Sequence, residues 1–296
     1  DISDFSVRDY VGGMQDLQDR VLRLIGEPAT RYREDPVRML RAARLAAKLG
    51  FSIDAAAAAP FEELGPLLAE AAPARLFDES LKMFLAGHGL KSFRMLEQCG
   101  LLKFLFPATA RALRRGDEAL RALVEQGLAN TDARVVEGKS VTPAFLFAVL
   151  LWGEVRDLAH HLVAGGKDAN EAWARAALQV VGEQCQRVAI PRRFTFTMEE
   201  IWSLQPRFEQ VQRKKVLRLL AHPRFRAAFD FLLLREHESP AMRELGLWWD
   251  HAQQLPHDTL AAALPSHGGG GNEPEPAAAP VRKRRRRKPS AKSKPA

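Results

Sequence analysis

The sequence predicts a mainly α, multi-helical protein with a short β segment at its N-terminus and a disordered C-terminal tail. Three observations carry this. Apolar residues recur at helical spacing from Asp35 to beyond Trp249 without a convincing strand between them. β-prone residues cluster only before Gly26. From Pro265 onward the composition shifts to Gly, Pro, Ala and a dense basic run, which cannot bury enough apolar surface to fold. With 296 residues, 46% of them hydrophobic, the part before the tail is long enough for one large domain or two modest ones.

At the N-terminus, residues 5–10 and 21–25 read as two short strands separated by Gly12-Gly13 and a polar stretch. Strands this short do not hold together alone, so they are expected at the edge of a sheet whose other members are missing from this sequence. A helix follows from Asp35, which can cap it, through Pro36, which suits the first helical position, to Gly50, which can stop it. Further helices are predicted over 55–70, 75–86, 90–99, 117–129, 143–153, 154–163 and 170–188. Thr197-Met-Glu-Glu200 matches a capping box ahead of Ile201 and Trp202. Helices over 209–221 and 223–236 then precede a last one holding Trp248 and Trp249. No regular repeat recurs, so a solenoid is not supported.

Several function classes are excluded. No apolar run approaches the roughly 18 to 20 residues of a membrane-spanning helix. The acidic start at Asp1 lacks the features of a secretory signal, and the missing initiator Met suggests a processed or truncated beginning. Cys99 and Cys185 show no CxxC or Cys/His spacing, which argues against a disulfide framework or zinc site and favours a reducing cytoplasm. His160-His161 diverge on a helix and have no third ligand at useful spacing. No Ser/His/Asp or Cys/His constellation and no Gly-rich phosphate loop is present.

Charge is concentrated. The net +8 divides into +7 from Pro265 to the C-terminus, +6 between Arg192 and Arg226, and −5 over the remainder. Two localised basic regions, one folded and one in the tail, suit a protein that grips phosphates with part of its surface. In the tail the run is Arg282, Lys283, Arg284, Arg285, Arg286, Arg287 and Lys288. In the folded patch Arg192, Arg193, Arg213, Lys214, Lys215 and Arg218 are interleaved with Phe194, Phe196, Trp202, Phe208 and Phe225, the mixture that single-stranded RNA needs for phosphate contact and base stacking. Aromatics at helical spacing are more often core, so at most one or two of these are expected at the surface. Arg213, Lys214, Lys215 and Arg218 crowd one turn and repel one another without an anionic partner.

The most specific local signal is Arg31-Tyr-Arg-Glu-Asp-Pro-Val-Arg-Met-Leu-Arg41. Glu34 and Asp35 are placed at a helix N-terminus with Arg38 three and four residues on, so a carboxylate and a guanidinium face the same way. Two readings stand. Asp35 caps the helix while Glu34 and Arg38 form a surface pair, or the pair reads the polar edge of a base while Arg33, Arg38, Arg41 and Arg44 meet a triphosphate or RNA backbone. Arg75, Glu79 and Lys82 likewise share one helical face, either as a solvated ion-pair stripe or as part of a site.

These segments carry a resemblance. Asp4-Phe-Ser-Val-Arg-Asp-Tyr-Val-Gly-Gly-Met-Gln-Asp-Leu17, Arg23-Leu-Ile-Gly26 and Arg31 through Arg44 closely resemble the bacterial poly(A) polymerases, which group with the tRNA CCA-adding enzymes as class II nucleotidyltransferases. The likeness continues through Pro73-Ala-Arg-Leu-Phe-Asp-Glu-Ser-Leu-Lys82, Phe106-Pro107, Asn130-Thr-Asp-Ala-Arg134, Pro143-Ala-Phe-Leu-Phe147 and Ala189-Ile-Pro-Arg-Arg193. It extends to His222-Pro-Arg-Phe-Arg-Ala-Ala-Phe-Asp230, Trp248-Trp249 and the basic tail, covering essentially the whole chain.

The resemblance implies template-independent addition of AMP from ATP to RNA 3′ ends, with Mg2+ held by head-domain carboxylates and with mRNA decay as the outcome. It implies a remnant of an α/β head over 1–28, a helical neck binding nucleotide and RNA over 29–110, a helical RNA-binding body over 111–264 and a disordered basic tail over 265–296. Gly12 to Leu17 resembles the family's flexible strand-loop between head and neck, although a plain hairpin turn also fits. Glu34-Asp35-x-x-Arg38 matches the family's base-selecting motif, so nucleotide binding falls to Glu34, Asp35, Arg38 and Arg41. Arg75, Glu79 and Lys82 match a later neck motif that supports that pocket. The family's Gly-Ser and Asp-x-Asp signature is absent from this sequence, so the chain looks like a member without most of its head, holds no metal site, and is expected to be inactive alone. The implied partners are ATP and RNA 3′ ends, with the RNA-decay machinery as a candidate; no membrane partner is implied. A CCA-adding enzyme and a non-enzymatic RNA-binding module are the alternatives.

Overall fold

Sixteen α-helices and one two-stranded ribbon make up the regular structure among the described residues of the computed structural model, apart from two 3-10 turns. The structure describes residues 3–4, 6–256, 259, 260, 262 and 264, all in one unit, Asp1–Pro265. The tail run Arg282 to Lys288 lies outside them.

The N-terminal segment departs from expectation. Residues 6–9 form no strand, and Gly13–Asp19 is a helix, α1. The carboxylate of Asp9 accepts from the N–H groups of Gly13 at 3.0 Å and Met14 at 2.8 Å, and Gly12 turns with φ 78°. That local cap outweighs the β preference of Val and Tyr, which have no neighbouring strand to pack on. Only Val21–Leu22 (β1) is extended, and its partner is within this chain: it runs parallel to Ser52–Ile53 (β2), with Val21 opposite Ser52.

Between the two strands lie α2 (Pro28–Glu34) and α3 (Val37–Leu49). Glu27 caps α2 through Ala29 N–H and Thr30 N–H, and Asp35-Pro36 makes the corner before α3. Glu34 is therefore the last residue of one helix and not the N-terminus of the next. The predicted helix 55–70 is broken at Pro60 and Pro66 into α4 (Ala55–Ala58), α5 (Phe61–Leu64) and a 3-10 turn over Gly65–Glu70, because proline lacks the N–H that continues a helix. Then follow α6 (Pro73–Phe84), α7 (Gly89–Gln98), and two helices the periodicity did not reveal, α8 (Leu102–Leu105) and α9 (Pro107–Arg114).

The remaining helices are α10 (Glu118–Val136), α11 (Pro143–Ala164), α12 (Ala169–Arg187), α13 (Arg192–Phe208), α14 (Arg213–Leu220), α15 (Phe225–Leu234) and α16 (Pro240–Ala252), with a 3-10 turn at Arg235–His237. Residues 143–163 form one helix instead of two. Gly153 is no break: a Cβ there would stand 2.5 Å from Leu120 Cδ2, so the glycine lets α10 and α11 approach closely. The capping box at Thr197 does not operate either. α13 already starts at Arg192, and Thr197 Oγ1 donates to the Arg193 carbonyl inside it at 3.4 Å.

α11 runs through the middle of the molecule and packs against α9, α10, α12 and α13. Its Phe147, Leu150 and Trp152 are fully buried, each such side chain contributing on the order of 2 kcal/mol. One apolar cluster extends from Tyr32 to Leu234, and a smaller one gathers Phe208, Val216, Phe229 and Trp249. Arg235, only 4% exposed, sits at their seam. Its guanidinium lies 4.8 Å over Trp152, donates to Gln205 Oε1 at 3.2 Å and Glu238 Oε2 at 3.0 Å, and Glu238 in turn accepts from Trp152 Nε1.

Candidate functional site

The corner between α2 and α3 faces α6. Asp35 has extended backbone there, and its carboxylate accepts from the Val37 N–H at 3.2 Å and from Arg75 Nη2, which reaches both oxygens at 3.0 and 2.9 Å. Arg41 Nη1 stands 3.8 Å from the same carboxylate. One turn along α6, the Glu79 carboxylate, 3% exposed, meets Arg44 Nε at 2.6 Å, Lys82 Nζ at 3.6 Å and Arg41 Nε at 3.9 Å. Five of the predicted residues, Asp35 and Arg41 from one segment and Arg75, Glu79 and Lys82 from another, thus come together in one ionic cluster.

Glu34 and Arg38 form a separate pair. Arg38 Nη1 donates to Glu34 Oε2 at 2.9 Å and to the Arg31 carbonyl at 3.1 Å, and Arg31 Nη1 reaches Glu34 at 2.6 Å. The hydrogen bond from Arg38 holds the Glu34 carboxyl below its ordinary range. Tyr32 fixes the floor of this corner by donating to the Ala57 carbonyl at 2.9 Å, and burial pushes its hydroxyl up to about 12. Arg44 is the residue whose place the sequence reading missed: its Nε is bound to Glu79 instead of pointing toward a phosphate, and nothing in the spacing links positions 35 residues apart.

Chemically, the cluster sets four cations against two carboxylates. Arg41, Arg75 and Lys82 have side chains 45, 48 and 58% exposed, so donors not used on Asp35 or Glu79 reach solvent. Such a surface suits a phosphate chain, and the Glu34–Arg38 pair beside it offers an acceptor and a donor to a base edge.

The second basic region lies on α13 and α14. Arg192, Arg193, Arg213, Lys214, Lys215 and Arg218 are all exposed, and none has a carboxylate within ion-pair distance among the described residues. Glu200 is occupied by Arg224 at 2.9 Å, and Glu199 is pushed up by burial against the opposing charge of Arg192. Of the interleaved aromatics, Trp202, Phe208 and Phe225 are buried and Phe194 is half-buried, while Phe196 is 58% exposed.

The described residues do not fit Mg2+. No group of three or more His, Cys, Asp or Glu among them is placed to hold a metal ion, and Asp35 and Glu79 are each already surrounded by cations. No described helix is long and apolar enough to cross a membrane.

Comparison with known proteins gives the following. Residues 165–291 match the profile described as polymerase A arginine-rich C-terminus, and residues 50–113 match that of a probable RNA and SrmB-binding site of polymerase A. Over 256 residues, 85% of this chain, it is 45% identical to poly(A) polymerase I of Escherichia coli O6:H1. It is 42% identical over 253 residues to poly(A) polymerase I of Haemophilus influenzae. The chain spans 55 and 56% of the lengths of these two relatives. A CCA-adding enzyme of Limosilactobacillus reuteri is 40% identical over 93 residues, 30% of this chain and 23% of that protein. Among solved structures, a tRNA-processing enzyme complex aligns with a TM-score of 0.55 at 20% identity, covering 85% of this chain and 62% of that one, a likeness of fold.

Proposed function

The chain belongs to the bacterial poly(A) polymerase family, and from that premise we propose that its two basic regions serve template-independent transfer of AMP from ATP to RNA 3′ ends. The observation that carries this is the ionic cluster of Asp35, Arg41, Arg44, Arg75, Glu79 and Lys82 beside the Glu34–Arg38 pair. In this reading Glu34, Asp35, Arg38 and Arg41 select the nucleotide, and Arg75, Glu79 and Lys82 hold that set in place. Arg192, Arg193, Arg213, Lys214, Lys215 and Arg218 bind the RNA backbone, and the tail residues Arg282 to Lys288 add affinity without choosing the nucleotide.

The chemistry is attack of the RNA 3′ hydroxyl on the α-phosphate of ATP with loss of pyrophosphate. A magnesium ion would supply activation of the hydroxyl and stabilisation of the leaving group; in this reading the described residues of this chain contribute orientation and charge. We therefore expect the chain by itself to bind ATP and RNA without joining them. The setting is the cytoplasm, and the biological outcome is tailing that promotes mRNA decay, with the decay machinery as partner.

The likeness to a CCA-adding enzyme over 93 residues keeps tRNA repair as the second reading. One experiment decides between them. A complete protein containing this chain is incubated with an oligoadenylate primer and, separately, with tRNA lacking its CCA end, with ATP or CTP. Long A tails on the primer support the proposal; addition of C and A to the tRNA alone overturns it.

A further inference from the structure

Four rings and a guanidinium form a continuous series of contacts, two of them stacked, that starts in the core and ends in solvent. Phe106 meets Phe147 at 6.1 Å between ring centroids, Phe147 stacks on Phe77 at 5.8 Å with planes 21° apart, and Phe77 stacks on Phe194 at 6.2 Å with planes 28° apart. The Arg193 guanidinium then lies 4.7 Å from the centre of the Phe194 ring. Phe106, Phe147 and Phe77 are buried and Phe194 half-buried, so the stack is anchored from below. Arg193 itself is exposed, and its guanidinium makes no hydrogen bond or ion pair with any described residue. It lies over a ring, and none of its N–H donors is used on a described residue.

We propose that Arg193 is a stacking platform for one base of a single RNA strand, a role distinct from phosphate neutralisation. A delocalised planar cation stacks on nucleobases, and a base in contact with it extends the existing series by one step. Phe194 is the positioning residue: by covering one guanidinium face it fixes the plane that the base meets. An acidic peptide is the less apt ligand, because carboxylates take the donor edge of a guanidinium and leave its face empty.

The stack and the ionic cluster share one helix. Phe77 and Glu79 are two residues apart on α6, about 200° around it, so the two features lie on roughly opposite sides of that helix.

This inference rests on the RNA-binding reading and is tested so that the two can fail separately. Binding of the chain to a labelled oligoadenylate of about eight nucleotides is measured by fluorescence anisotropy, alongside a ribose-phosphate oligomer of equal length without bases. Arg193→Lys keeps the charge and loses the plane, and Phe194→Leu keeps apolar bulk and loses the ring. Each is expected to weaken oligoadenylate binding about tenfold and to leave the abasic oligomer unaffected, while Arg175→Lys, at an exposed position of α12, changes neither. Equal losses on both oligomers, or no loss on either, overturn the platform and leave RNA binding standing. If the unaltered chain binds neither oligomer, the RNA reading falls and the platform with it.

Discussion

Glu79 is a buried residue whose carboxylate has three cations around it. Removing its charge leaves the mostly buried Arg44 without its partner and Arg41 and Lys82 crowded beside it at the surface. Glu79→Gln is therefore expected to lower the free energy of unfolding by about 2 to 4 kcal/mol, read from urea titrations, whereas Arg75→Ala, at the exposed edge, stays close to wild type in stability and weakens ATP binding in calorimetric titration. A Glu79→Gln variant as stable as wild type would reduce this cluster to a surface stripe. The residue types were legible in the sequence, and the motif likeness put them in one pocket. Their pairing was not. Asp35 meets Arg75 across 40 positions and Arg44 meets Glu79 across 35, and helical spacing reports only on partners three or four residues apart. The sequence also offered five aromatics for RNA without saying which point outward; exposure selects Phe196 and the half-buried Phe194.

At the level of elements, Asp117 shows how a helix start is tied to its neighbour. It accepts from the Leu120 N–H at 2.9 Å at the start of α10 and pairs with Arg156 of α11. Burial alone would raise its carboxyl, but the hydrogen bonds from Arg156 and Leu120 and the charges of Arg156 and Arg115 outweigh it, and the group is held below the ordinary carboxylate range. A depressed folded value stabilises the fold above the unfolded value and loses that contribution as pH falls through the folded one. Asp117→Ala should cost about 1 to 3 kcal/mol at neutral pH, with the gap to wild type closing as the pH drops below the ordinary carboxylate range. Urea unfolding at a series of pH values checks this, and a gap that stays constant into acid would refute the charge pairing. α12, expected over 170–188 and found over Ala169–Arg187, was legible because its apolar spacing holds along its length. The misplaced elements share a cause: their local signals were ambiguous without neighbours. Gly153 looks like a helix end until Leu120 is set against it, and β-prone residues 6–10 have no strand beside them among the described residues.

For the whole molecule, the sequence's uneven charge translates into a region of α13 and α14 where Arg192, Arg193, Arg213, Lys214, Lys215 and Arg218 have no carboxylate partner among the described residues, while the four cations of the cluster at α6 share two carboxylates. Changing Arg213, Lys214 and Lys215 to Ala should flatten the plot of log RNA affinity against log salt by about 2, on the basis of roughly 0.7 counterions per phosphate on single strands. Anisotropy titrations at several potassium chloride concentrations measure it; an unchanged slope would move the RNA off α14. The seam at Arg235 acts at this same scale. Trp152 belongs to the larger apolar cluster, Gln205 bonds on to Ala228 in the smaller one at 3.1 Å, and Glu238 reaches back to Trp152. Each partner of the buried guanidinium is held by another, so neither cluster can open without stranding a charge in the other. We expect the two cores to unfold in a single transition on heating, so that the proposed RNA surface at α14 is lost together with the proposed nucleotide corner at Asp35, not before it.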